Sequence, residues 1–209
     1  MGRGRPQKSQ TKIEMKTEKK IILFLLVSLS QICLIFSNKF LIALCYNINM
    51  EVLQRKVWWN YIDTDLQELL KQSFLLLEAF EKEPRQFFDY SFIIFPAAKA
   101  YEGFLKKIFL DLGFITKEDY FGKRWRVGKA LNPYLEKEYR GESIYDKLVT
   151  YCGGKELADK LWETWRVCRN LIFHWFPNEE KAASLAMARE RVMMIIEAFD
   201  DVFKKCKIK

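Results

Sequence analysis

Arg169, Asn170 and His174 are the residues of this 209-residue chain whose types and spacing best suit chemistry. They fall within residues 162–176, Trp-Glu-Thr-Trp-Arg-Val-Cys-Arg-Asn-Leu-Ile-Phe-His-Trp-Phe, which hold the only histidine in the chain. Polar side chains escorted by aromatic and aliphatic ones are costly to desolvate unless they are paired or used. An imidazole takes and gives protons near neutral pH. An arginine carries a permanent forked charge that matches phosphate oxygens and stabilises a pentacovalent phosphorane. An asparagine can orient the ring. Together these roles describe cleavage of RNA by its own 2′-hydroxyl, a reaction that needs no cofactor and that DNA, lacking the hydroxyl, does not undergo. A satisfied core histidine is the competing reading. A Ser or Cys hydrolase fits less well, because Cys168 falls on an apolar stripe and no carboxylate is evidently placed to orient His174.

These residues need a scaffold that lets them meet. On one helix His174 and Asn170, four apart, lie nearly stacked, as do Asn170 and Arg166. Arg169 is then offset from His174 by roughly 140° of helical wheel. That mismatch shrinks if the last turn before Pro177 unwinds, or if a second helix supplies the complementary group. A symmetric dimer, with two copies of the segment facing each other, also meets the need.

The remaining patterning predicts helices. Leu66, Leu69, Leu70, Leu76, Leu77 and Phe80 recur at three- and four-residue steps, with Asp63 or Thr64 as cap and Pro84 as stop. Residues 87–112 predict a long helix, kinked or begun near Pro96 and ended by Gly113, with Lys99, Glu102 and Lys106 on one face. A short helix is expected over 143–151 before Gly153-Gly154. A long one follows over 155–175, with Leu157, Leu161, Trp165, Cys168, Ile172 and Trp175 on one stripe, and a last one over 180–205. No convincing strand pair, internal repeat or phosphate-binding glycine loop is present. The expected fold is an all-α bundle of four to five helices with a hydrophobic N-terminal extension.

Between these helices, Phe121-Gly122-Lys123-Arg124-Trp125-Arg126-Val127-Gly128-Lys129 sets four cations around one tryptophan. Lys123, Arg124 and Arg126 could cradle phosphate while Trp125 stacks on a base. The bland reading is a loop whose tryptophan plugs the core while its cations stay in water.

The net charge of +8 is unevenly spread. Residues 1–20 hold seven Lys/Arg against two Glu, residues 21–50 add only Lys39, and residues 51–209 hold 27 against 25. The globular part is nearly balanced, so nucleic-acid binding there requires a local patch. The five cysteines are scattered and never in Cys-x-x-Cys spacing, a pattern of reduced thiols in a cytosolic protein without a structural zinc site or other metal centre. Residues 1–49 form a basic and hydrophobic leader whose apolar run over 21–36 is shorter than the ~20 residues a bilayer span needs. Extended through Lys39 to residue 46, it would tether the protein to a membrane. Alternatively Met50 is the true start and the working protein is cytoplasmic. A signal peptide fits less well, because cleavage-site chemistry is missing. The domain division is therefore 1–49 and 50–209.

The run Arg169-Asn170-Leu171-Ile172-Phe173-His174 resembles the Arg-polar-x-x-x-His motif of HEPN ribonucleases, small α-helical proteins that usually dimerise. The similarity widens over roughly residues 60–205 to the HEPN-type C-terminal domain of the RNase LS (RnlA/LsoA) toxins. Asp89-Tyr90-Ser91-Phe92, Phe95 to Leu105, Gly122 to Gly128 and Tyr151-Cys152-Gly153-Gly154 carry it. The resemblance implies that Arg169 and His174 are the catalytic pair and that Glu102 joins them. It also implies metal-independent endoribonuclease activity, a homodimer, and neutralisation by a cognate antitoxin. Those toxins carry folded N-terminal domains that the short leader here does not match. On this reading Arg169, His174, Glu102 and Asn170 are the catalytic candidates, and Arg166, Lys99, Lys123, Arg124, Trp125 and Arg126 the RNA-binding ones. The alternative is a non-catalytic HEPN-type module that binds RNA, a nucleotide or a protein.

Overall fold

A computed structural model of the chain describes residues 50–205 except 84, 176 and 178–181. The chain divides into two units, Met1–Asn47 and Ile48–Lys209, and every described residue belongs to the second. The leader, with its expected apolar run over 21–46, therefore lies outside the described residues. Among the described residues the fold is all-α, without a strand, and no helix is long and apolar enough to cross a membrane.

Three long helices frame the unit: α1 (Thr64–Glu81), α2 (Ser91–Asp111) and α7 (Leu185–Lys205). Between them run α3 (Lys117–Phe121), α4 (Val127–Ala130), a 3-10 turn (Lys137–Glu142), α5 (Ile144–Cys152) and α6 (Glu156–Trp165). Helix α2 is the central one. Ile93, Ile94, Ala97, Ala98, Ala100, Tyr101, Phe104, Leu105, Ile108 and Phe109 are all buried on it, because α1 packs on one side and α7 on the other. Phe104 stacks on Phe199 of α7 at 3.9 Å between centroids, and Trp58 meets the same ring edge-on at 4.9 Å. The stretch before α1 is fastened to α7 as well, with Lys56 Nζ and Trp58 Nε1 each donating to the Asp200 carboxylate at 2.7 Å.

Pro96 sits inside α2 rather than at its start. A proline there removes one ladder bond and crowds the preceding turn. The repair comes from α1: the Ser73 hydroxyl donates to Ile93 O at 2.8 Å and accepts from Ala97 N–H at 2.9 Å. It is thus inserted between the donor and acceptor of a regular i→i+4 bond, a recognised cause of local bending. Asp89 then secures the helix start. Its carboxylate accepts from Ser91 N–H at 2.7 Å and from Ala183 N–H at 3.2 Å, tying the entrance of α7 to that of α2.

The expectation of one helix over 155–175 is corrected by the structure. Helix α6 ends at Trp165, Arg166–Asn170 is a π-helix, residues 171–173 form a turn, and His174 and Trp175 are irregular. The Leu171 N–H donates to Arg166 O at 2.9 Å, five residues back. One extra residue in the turn shifts every later side chain around the axis. Trp175, expected on the apolar stripe, is accordingly 84% exposed. Helix α5 behaves as its sequence predicts. The Ser143 hydroxyl caps it by accepting from Asp146 N–H at 3.1 Å, and Gly153 ends it at φ +71°, where a side chain would be strained.

Candidate active site

The unwound end of the α6 segment and the exposed face of α2 together form a cleft of about 190 Å³. Helix α2 contributes Phe95, Lys99 and Glu102, spaced four and three apart so that they share a face. The opposite wall is Arg169 from the π-helix and Phe173 and His174 from the turn beyond it. The two walls touch at Phe95 and Phe173, whose rings meet edge-on at 5.4 Å. The unwound turn after Asn170 and the Glu102 carboxylate from a second helix both stand at this cleft.

Arg169 is held on two sides. Its Nη2 lies 3.4 Å from Glu102 Oε2, and its guanidinium carbon lies 5.1 Å from the centre of the Trp165 ring. The side chains of the pair are 38% and 35% exposed, so water still reaches both and the charge is only partly screened. Lys99 Nζ stands 5.8 Å over the Phe95 ring and brings a second cation to the rim. The cleft thus combines two cations, one carboxylate, one imidazole and two aromatic walls. Such a set can hold an anionic group and move a proton beside it.

The other expected site residues lie elsewhere. Asn170 is half-buried and is not among the residues lining the cleft. Arg166 turns away to a two-pronged pair with Glu163, at 2.6 and 2.8 Å, which holds the Glu163 carboxyl below its usual range. Lys123, Arg124 and Arg126 are exposed, while Trp125 is half-buried, edge-on to Phe109 at 6.3 Å and under Lys106 at 6.0 Å. Arg124, Trp125, Arg126 and Lys129 line a separate hollow of about 290 Å³, together with Asp119 and Glu142. The tryptophan of this loop is largely a wedge against α2, and its cations face water.

Cys168 cannot serve as a nucleophile. It is buried, its Sγ donates to Arg191 O at 3.5 Å, and burial pushes its thiol up to about 12. No group of three His, Cys, Asp or Glu that could hold a metal ion is present among the described residues. Trp165, whose ring lies under the Arg169 guanidinium, was not among the expected site residues. Trp165 was legible only as core, although its four-residue spacing from Arg169 places the two on one face of a helix.

No family model, no curated protein and no solved structure matches the chain.

Proposed function

We propose that the domain is a metal-independent endoribonuclease of HEPN type, acting as the toxin of a toxin–antitoxin or phage-defence system. What supports the reading is one observation: Arg169, Glu102 and His174, singled out in the sequence, line a single cleft although Glu102 lies 67 positions from Arg169. In the proposed mechanism His174 accepts the proton of the RNA 2′-hydroxyl as that oxygen attacks the adjacent phosphorus. Arg169 places its fork on the non-bridging oxygens, where negative charge grows. The bond from phosphorus to the 5′-oxygen breaks, the proton returns to that oxygen, and a 2′,3′-cyclic phosphate and a 5′-hydroxyl remain. Glu102 orients Arg169, and Lys99 draws the backbone to the rim. A homodimer, a cognate antitoxin and a cytoplasmic location belong to the same proposal.

A non-catalytic module that binds RNA, a nucleotide or a protein is the second reading. It is favoured by the Arg169–Glu102 pair, which already neutralises part of the charge meant for phosphate. Incubating the full chain with total RNA, beside its His174→Ala variant, separates the two. Cleavage by the parent and none by the variant, with equal melting behaviour, is expected. Binding without cleavage in both favours the second reading, and cleavage by both removes His174 from the mechanism.

A further inference from the structure

Arg169 is backed by a small stack of residues that does not reach the cleft itself. Trp165 precedes it by one helical turn, is 4% exposed, and presents its ring face to the guanidinium. Beside the indole lies Tyr101, its ring tilted by 40° and 6.5 Å away between centroids, fully buried and donating its hydroxyl to Leu161 O at 2.9 Å. At the indole edge lies Gly128 of α4. A β-carbon there would fall 2.6 Å from Trp165 Nε1 and 3.2 Å from its Cε2, closer than packed carbon atoms approach. Gly128 is not among the glycines with positive φ, so what the position requires is an absent side chain and not a permissive backbone.

We propose that Trp165 and Gly128 are positioning residues that aim the Arg169 guanidinium into the cleft. The aim itself follows from the packing; that it serves RNA cleavage rests on the ribonuclease reading. An arginine side chain has many rotamers, and a cation seated on an aromatic face while paired to Glu102 has few. A methyl group at Gly128 must displace the indole. The ring face on which the guanidinium sits moves with it. A shift near 1 Å at a group of this kind can cost on the order of 100-fold in rate.

The test uses the full chain and the variants Trp165→Phe, Gly128→Ala and their combination. Two quantities are read: the kinetics of RNA cleavage, and the Arg169 Nε–H resonance of 15N-labelled protein, assigned by its loss in Arg169→Lys. Trp165→Phe should move the resonance and lower kcat about threefold to tenfold with KM little changed, because a phenyl face holds the cation less well. Gly128→Ala should move it further and lower kcat on the order of 100-fold. The double variant should recover much of that loss, because the smaller ring leaves room for the methyl group. Such non-additivity marks contact between the two positions acting on one outcome. A Trp165→Phe protein with the parent's resonance and kcat overturns the proposal, whether or not Gly128→Ala folds. If no variant and no parent cleaves RNA while the resonance still moves in both single variants, the positioning stands and the ribonuclease reading falls.

Discussion

Arg169 and Glu102 meet across 67 residues of chain, Nη2 to Oε2 at 3.4 Å, with the Trp165 ring beneath the guanidinium. At this exposure the pair contributes under about 1 kcal/mol to stability. Its expected weight lies in function. Arg169→Lys keeps the charge and loses the fork, so RNA cleavage should fall on the order of 10²- to 10³-fold while the melting temperature moves little. Glu102→Gln should release the guanidinium's charge and loosen its aim, raising affinity for a non-cleavable 2′-deoxy oligonucleotide as turnover falls. Unchanged turnover in Glu102→Gln would show that the carboxylate plays no orienting part.

Ser73 connects the stability of α1 to the integrity of α2. Ser73→Ala strands a buried N–H at Ala97 and a buried carbonyl at Ile93. The expected loss is roughly 1–3 kcal/mol in urea unfolding at constant m. A loss below about 0.5 kcal/mol would mean that the helix closes its own ladder at Pro96 without help.

Cys168 sets a direction for alkaline stability. Its thiol is raised from 9.0 to about 12 in the folded chain, chiefly by burial. Between these values the unfolded chain releases the proton and the folded chain keeps it, so stability is full below pH 9 and declines as pH rises toward 12. Tyr101, also raised by burial, adds to the decline from 10.0 upward. In urea titrations the gap between the parent and Cys168→Ala should therefore narrow between pH 8 and pH 10. A gap that widens would contradict the sign. At pH 8 iodoacetamide should label the half-buried Cys152 in the native protein and spare Cys168.

In the proposed mechanism, metal independence is separable from the roles assigned to Arg169 and His174. Cleavage of RNA should persist in excess EDTA, and an oligonucleotide with one 2′-deoxy position should resist cleavage at that position alone. Activity that disappears in EDTA and returns with a divalent cation would contradict the attack by an unassisted 2′-hydroxyl.

Much of this protein was legible before its structure. The three- and four-residue recurrence of leucines in α1, the short α5 with its Gly153 stop, and the apolar stripe of α7 are local signals, decided by periodicity and backbone sterics within a few residues. The types of Arg169, His174 and Glu102 carry their chemistry with them. Their meeting does not, because an ideal helix would splay Arg169 from His174. Tertiary packing decided it: the π-turn after Trp165 and the unwound residues 171–175 re-aim the segment, and α2 brings Glu102 to it. The same packing sent Trp175 into water, paired Arg166 with Glu163, and made Gly128 the neighbour of an indole 37 positions away. Hydrogen-bond patterns that depart from i→i+4, and contacts between residues far apart in sequence, depend on what the rest of the chain presses against them. The sequence by itself determined most of the helices and the reactive groups; the packed core determined where the segment after Trp165 departs from a helix and which of those groups face one another.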